Sequence, residues 1–354
     1  MRILFMAPYP ANESPSQRYR FEHYLGNLAS HNILYDYRPF LDEYTWKIFY
    51  KPGNYGKKLL GVFRGFIRRW LLIFTVGKYD FVYIHREAAP LGPPLFEWII
   101  TKLWRKKIVY DFDDAIWIPI ASENNKIARY FKWFSKVASI CRMSYKVSVG
   151  NDFLGDFARK YCRNVIVVPT VVDTEFTHTK MQDHESRSPA VGWTGTFSTL
   201  KYLDIVLPVI SRLQQKYDFT FIVIANKDPE LPLKKYRFIH WKKETEVEDL
   251  LSFHIGLMPL FNNEIEKGKC GFKAIQYMSL GIPAIVSPVG VNSVIVSEGV
   301  NGFIAVSETD WEDKIIHLLK SSELRRKIGQ SARKTIEKAY SVKCTLPVFI
   351  QLFK

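Results

Sequence analysis

The stretch "GKCGFK", residues 268–273, sets Lys269 and Lys273 on either side of Gly271, where a helix-periodic apolar run begins. Free N–H groups at a helix start attract anions, and two added ammonium groups make phosphate the natural one. A second loop, "VGWTGTFSTLKYL" (191–203), runs from strand into helix with Gly195, Thr196, Ser198 and Lys201. Small residues let the backbone approach a ligand, hydroxyls donate hydrogen bonds, and Lys201 adds a cation. Neither loop is a G-x-G-x-x-G or P-loop motif, so those two nucleotide-binding devices are not in play. The plainer reading of the second loop is a glycine turn with Ser198 as N-cap.

Three further clusters lie in the first half. "VYDFDDAIW" (109–117) supplies Asp111, Asp113 and Asp114 at the end of a strand-like run. Three carboxylates there need a cation or a proton. A metal site, a general base or an acceptor for sugar hydroxyls would each account for them, as would one aspartate capping the next turn. "HREAAPLGP" (85–93) places His85, Arg86 and Glu87 after another strand, and "PYPANESPSQRYRFEHYL" (8–25) carries Ser16, Arg18 and Arg20 at the first helix. The arginines either bind an anionic group or belong to a solvated helix face.

The elements that must hold these clusters follow from patterning. In 354 residues, 47% hydrophobic, two domains of ordinary size are expected. Short β-rich runs at 2–7, 33–38, 80–85, 107–112, 146–150 and 165–169 alternate with helical segments near 16–30, 91–105, 122–142 and 151–161. The polar stretch 177–188 reads as a linker, and the alternation restarts at 190–193, 219–225, 236–241, 254–260, 283–287 and 302–306. The reading is α/β: two Rossmann-like lobes facing a central cleft, 1–176 and 189–338, with a last helix (339–354) packing back towards the first. In open parallel sheets, ligands sit beyond the carboxyl ends of the strands, where all five clusters fall.

Fifty Lys and Arg against 35 Asp and Glu give a formal charge of +15, a surface for nucleic acid, anionic lipid or phosphorylated substrates. Cys141, Cys162, Cys270 and Cys344 follow no metal-ligand spacing, which fits a reducing cytoplasm. "MRILFMAPYP" reads as a first buried strand rather than a signal peptide, and no apolar run approaches the roughly 20 residues of a membrane span. Residues 44–78 interleave Lys57, Lys58, Arg64, Arg68 and Arg69 with Leu59, Leu60, Phe63, Phe66, Ile67 and Trp70. This describes either an interfacial helix on anionic lipid or a helix packing its apolar face on its own domain, with a nucleic-acid patch as the third reading.

These motifs together resemble the GT-B glycosyltransferases of the retaining family 4 type. The resemblance is carried by "GKCGFKAIQYMSLGIPAIVSPVGVN" (268–292) with "EGVNGFIA" (298–305), which is similar to the family's donor-binding signature. "DFDDAIW" resembles its acceptor-side loop, and "VGNDFLGDF" and "VVPTVVDTEF" resemble the approach to its linker. The resemblance implies an N-terminal acceptor-binding domain and a C-terminal nucleotide-sugar domain. Family members carry two glutamates eight positions apart, which here align with Gly268 and Gln276, and many carry a His-Asp pair where Asp113 and Asp114 stand. The sugar-binding role is therefore expected to pass to Glu266, Glu264 or a backbone N–H.

What the resemblance implies in full is transfer of a sugar from a UDP- or GDP-sugar to a glycan or polyprenyl-linked acceptor in bacterial surface-polysaccharide synthesis. No cofactor and no metal are implied. Gly195, Thr196, Lys201, Lys269, Gly271, Phe272, Lys273, Gln276, Val289 and Gly290 would bind the donor, with Glu298 beside the nucleoside. Ser16, Arg18, His85 and Arg86 would bind the acceptor, and Asp113, Asp114 and Glu266 are the catalytic candidates. The expected setting is cytoplasmic, peripheral on an anionic membrane surface. A sugar-nucleotide epimerase of the same fold, and a basic nucleic-acid-binding protein, are the competing classes; the second lacks any recognised nucleic-acid module.

Overall fold

The computed structural model describes residues 1–119, 133–186 and 188–354. It divides into two compact units, Met1–Thr170 with Leu346–Lys354, and Val171–Thr345. The first unit holds strands β1 (Arg2–Ala7), β2 (Leu34–Pro39), β3 (Phe81–His85), β4 (Lys107–Phe112), β5 (Lys146–Val149) and β6 (Val165–Val167). The second holds β7 (Ala190–Thr194), β8 (Thr220–Ala225), β9 (Tyr236–His240), β10 (Ile255–Met258), β11 (Ala284–Val286) and β12 (Gly302–Ile304). All twelve strands were legible as apolar runs, because a parallel strand covered on both faces is apolar along its length. The central strands β1, β3, β4, β7 and β10 are buried almost throughout, whereas β2 at an edge is half exposed.

Sheet order is β2-β1-β3-β4-β5-β6 in the first unit and β12-β11-β10-β7-β8-β9 in the second, with every pairing parallel. Both are Rossmann-like. All carboxyl ends in a unit thus share one edge of its sheet, and the order reverses between β1 and β3 and between β7 and β10.

The helices follow the expectation with shifts at their ends. The first runs Pro15–Gln17, widens into a π-turn at Arg18–Glu22 and closes at His23–Leu25. The wide turn buries Arg18, Tyr19, Arg20 and Phe21, so the arginines are not a solvated face. Of the helix expected over 122–142, Lys136–Met143 is seen and residues 122–132 lie outside the described ones. Asp152–Arg159 starts on Asn151, whose Oδ1 accepts from the Leu154 N–H at 2.9 Å.

Of the two orientations open for helix Tyr55–Ile73, the one that packs its large apolar side chains on its own domain is not the one found. Its buried positions are Gly61, Gly65, Arg69, Leu72 and Ile73, while Leu59, Leu60, Phe63, Ile67 and Trp70 are exposed. A Cβ at Gly61 would stand 2.3 Å from Thr45, and one at Gly65 would stand 2.7 Å from the Phe40 ring, so the two glycines make the close contact. Arg69 reaches inward to the carbonyls of Ala7, Arg38 and Ala88 at 3.0, 2.9 and 2.7 Å. It pins the ends of β1 and β2 and the loop after β3, with no carboxylate bonded to it among the described residues, and burial lowers its guanidinium to about 9.

The chain end completes the first unit. Tyr24 stacks on Phe349 with centroids 4.2 Å apart, and Phe353 packs on Phe5, Phe81 and Tyr83. Lys146 Nζ donates to the Gln351 and Lys354 carbonyls at 2.6 and 2.9 Å. In the second unit the polar segment 174–184 is tied to helix Ser322–Ala339. Arg333 donates to the carbonyls of Thr174 and His178, and Arg325 to that of His184. His184 Nε2 in turn lies 2.8 Å from the Gly281 carbonyl.

Phe349 is fully buried, so Phe349→Ala should remove about 3–5 kcal/mol from the first unit, read as an earlier urea transition with the second unit's transition unmoved. Burial lowers the His184 imidazole from the ordinary 6.5 to about 4, partly opposed by the Gly281 carbonyl. The unfolded chain therefore takes up this proton near pH 6.5 while the folded one resists it. Stability falls as pH drops from 6.5 towards 4, by up to about 3 kcal/mol. His184→Gln should flatten that part of the stability–pH curve.

Candidate active site

At the switch point of the second sheet, the loop after β7 leads into a 3₁₀ segment, Phe197–Ile205. Thr196, not Ser198, is its N-cap, in a reciprocal pair with Thr199. Gly195 is required by packing: a Cβ there would stand 2.3 Å from the Trp193 ring and 2.6 Å from Thr199 Oγ1. The 3₁₀ winding carries Lys201 and Tyr202 towards the segment after β10. There Asn263 caps the short helix Glu264–Lys267, its Oδ1 accepting from the Ile265 and Glu266 N–H groups. Tyr202 donates to Glu266 Oε1 at 2.5 Å, and Lys201 Nζ lies 4.0 Å from the same oxygen.

Three ammonium groups gather on this spot. Lys201 Nζ is 5.3 Å and Lys269 Nζ 5.9 Å from the centre of the Tyr202 ring, and Lys273 Nζ is 5.4 Å from that of Trp193. Aromatic faces hold cations in place without neutralising them. Glu266 is only 1% exposed, and its Oε2 has no hydrogen-bond partner among the described residues; neither do the buried Trp193 Nε1 and Asn292 Oδ1. That carboxylate oxygen, held out of water beside a lysine, has acceptor capacity that no described donor uses. Glu264, the alternative carboxylate, is exposed and pairs with Lys267 at 2.7 Å.

Two glycines shape the rest of the site. Gly271, at φ +67°, starts helix Phe272–Ser279 beside Ile295, and Gly290, at φ +58°, ends the loop after β11. A Cβ at Gly290 would stand 2.6 Å from the Lys267 carbonyl, so the loops after β10 and β11 touch backbone to backbone there. Val289 is buried, while Phe272 and Lys273 are half-buried at the helix start. Gln276 is buried, and its amide donates to Glu246 Oε1 at 3.2 Å, an oxygen that also accepts from Trp241 Nε1. Glu298 stands apart: it accepts from the Ile304 N–H and pairs with Lys314 at 3.2 Å, which ties it to β12.

In the first unit, the strand-end carboxylates find their cations within the chain. Asp111 is fully buried between Arg20, His85 Nδ1 at 2.8 Å and Ser148 Oγ at 2.7 Å. Burial pushes its carboxyl up, but the Arg20 charge and the His85 bond outweigh it and hold the group well below the usual carboxylate range. Arg86, with a left-handed backbone at φ +61°, reaches Asp113 Oδ1 through Nε and Nη2 at 2.9 and 2.7 Å, and Asp114 at 3.3 Å. The two aspartates raise its guanidinium against the effect of burial. Lys136 pairs likewise with Glu87 at 2.7 Å. Arg18 is buried with its guanidinium 4.8 Å from the centre of the Tyr19 ring, and Ser16 bonds Ser14 at 3.0 Å.

The structure thus brings Lys201, Lys269 and Lys273, expected from residue types, to Glu266, expected from the resemblance, and joins Arg86 to Asp113 and Asp114, which stood in separate sequence clusters. Tyr202, Trp193, Glu246 and Ser148 were not singled out. Tyr202 follows Lys201 directly, but only the 3₁₀ winding turns it towards Glu266. Among the described residues no group of three or more His, Cys, Asp or Glu has the arrangement of a metal site.

Residues 177–335 match the sequence model of the family described as "Glycosyl transferases group 1", a span within the second unit. No curated protein matches the sequence. In fold the chain is similar to sucrose-phosphate synthase from Thermosynechococcus elongatus, at 13% identity over 100% of this chain and 98% of that one, with a TM-score of 0.69. It is also similar to HepE from Anabaena, solved with UDP and glucose (15% identity, 99% of each chain, TM-score 0.66). The catalytic domain of starch synthase IV from Arabidopsis thaliana, bound to ADP and acarbose, is a third (12% identity, 99% of this chain and 98% of that one, TM-score 0.69). At such identities the likeness is one of fold, two Rossmann-like units of the GT-B class. Together with the family match on the unit that carries the lysine cluster, it supports an enzyme of the glycosyltransferase kind.

Gly290→Ala combines a left-handed backbone, costing a β-carbon roughly 1–2 kcal/mol, with a backbone clash no rotamer relieves. It should lower the second unit's melting temperature, whereas Val294→Ala, on an exposed side chain nearby, should leave it within experimental error.

Proposed function

We propose that the protein transfers a sugar, with retention, from a UDP- or GDP-sugar to a glycan or lipid-linked acceptor in bacterial surface-polysaccharide synthesis. One observation carries the reading: the buried, half-satisfied Glu266 carboxylate beside Lys201, Lys269 and Lys273, at the carboxyl ends of β7 and β10. The lysines and the N-terminus of helix Phe272–Ser279 take the donor diphosphate, whose negative charge grows as the glycosidic bond breaks. Preorganised cations and N–H groups stabilise that leaving group, and the reading assigns no metal to it. Glu266 Oε2 accepts a donor-sugar hydroxyl, the contact the family glutamate would make. Gly195, Thr196, Val289 and Gly290 line the donor, and Gln276 with Glu246 lies on its nucleoside side. UDP with HepE and ADP with starch synthase IV support a nucleoside diphosphate as the leaving group.

The first unit, 1–176 in this reading, takes the acceptor. Asp113 or Asp114 orients its hydroxyl, with Arg86 fixing both carboxylates and His85, Ser16 and Arg18 as further contacts. Transfer through an oxocarbenium-like transition state leaves the proton of that hydroxyl to the departing phosphate or to one of these aspartates.

A thermal-shift screen against UDP-, GDP-, ADP- and CMP-sugars tests the donor side. One donor class should raise the melting temperature by several degrees at saturation, by mass action. Lys273→Ala should abolish most of that rise, and an unchanged rise would remove the diphosphate assignment. Glu266→Gln should keep donor binding and lower transfer about a hundredfold or more. A product that is an isomerised nucleotide sugar, formed without acceptor, would replace transfer by epimerisation.

A further inference from the structure

Helix Tyr55–Ile73 turns its glycines and Arg69 inward and leaves its large apolar side chains outside. At 100° per residue, Leu59, Phe63, Ile67, Trp70 and Phe74 fall on one outward arc about 80° wide. All five are exposed, Phe63 at 60% and Phe74 at 74%. Trp70 rests its inner edge on Phe96, with ring centres 5.3 Å apart, so the stripe is braced from beneath.

The charges are arranged to one side of that stripe. Lys57 and Arg64, one heptad apart, stand exposed along its edge, and no acidic residue lies within the helix. Arg68 continues the same edge but is bonded to Asp42 and the Phe40 carbonyl, and Lys58 is bonded to the Lys51 carbonyl, so both serve the fold. Among the described residues no helix is long and apolar enough to cross a membrane. A stripe of Leu, Phe and Trp with cations along one edge suits a surface that is apolar inside and anionic at its rim.

We propose that the outward face of helix Tyr55–Ile73 lies in the headgroup layer of an anionic bilayer, with Phe63, Trp70 and Phe74 in the acyl boundary and Lys57 and Arg64 on lipid phosphates. The helix is laid flat by its own packing: Gly61, Gly65 and Arg69 fix its rotation, so docking needs no rearrangement of the unit. This inference is independent of the sugar chemistry, because it concerns a face distant in sequence from the lysine cluster and needs no nucleotide.

Flotation of the full chain with phosphatidylcholine vesicles, with and without phosphatidylglycerol, tests it. The protein should rise with the anionic vesicles and remain below with the neutral ones, and added salt should weaken the association. F63D/F74D should lower the bound fraction about tenfold or more with an unchanged melting temperature, since both side chains are exposed. K57E/R64E, which leaves the apolar stripe intact, should do the same on anionic vesicles alone. Equal flotation of wild type and both variants, or none with either vesicle, overturns the proposal. A concentration-dependent dimer that F63D/F74D dissolves would instead assign the face to a second copy of the chain. Donor-induced thermal shifts in the same variants should be those of the wild type, so failure here leaves the glycosyl-transfer reading where it stood.

Discussion

A buried charge pair governs the first unit. Arg20 and Asp111 are both removed from water, which is tolerable only because every arm of the guanidinium has a destination. Asp111 belongs to β4, Ser148 to β5, the Val168 carbonyl follows β6, and His85 closes β3. One side chain from the wide turn at Arg18–Glu22 thereby joins the carboxyl ends of three neighbouring strands, and Asp111 adds the fourth through His85. The loops that carry Arg86, Asp113 and Asp114 leave from those same ends, so their mutual geometry is inherited from this pair. Removing either partner would strand the other charge in the interior, a larger loss than the pair itself contributes.

The second unit solves the same problem with backbone instead of charge. The edge at the carboxyl ends of β10 and β11 depends on two left-handed glycines that let neighbouring loops approach more closely than any β-carbon permits. The cations lie over aromatic rings, and the buried Glu266 carboxylate has one oxygen without a hydrogen-bond partner among the described residues. The contrast is physical: at the first sheet's edge carboxylates are bonded to arginine guanidinium groups, while at the second the lysines stand over aromatic faces.

Much of this was legible in the sequence, and what was not has identifiable causes. All twelve strands showed as apolar runs, and the clusters of interest followed them directly. The rotation of helix Tyr55–Ile73 was not legible, because periodicity separates an apolar stripe from a small-residue stripe without saying which faces inward. Arg20 and Arg69 read as surface residues since nothing local announces that a carboxylate 91 positions away, or a set of strand-end carbonyls, will receive them. Thr196 and Ser198 are equally good caps by type, and the choice fell to Thr199, which returns the bond. The pairing of Gln276 with Glu246 joins two helices 30 positions apart and has no local signal.

The return of the chain end to the first unit has a consequence for synthesis. Residues 1–170 are synthesised before the second unit, yet the aromatic layer formed by Phe5, Tyr24 and Tyr83 lacks Phe349 and Phe353 until residues 346–354 have been added. The second unit, contiguous from 171 to 345, has all its residues earlier than its predecessor does. The unit begun first is thus the unit finished last, since its aromatic layer waits on a segment made after the whole of the other.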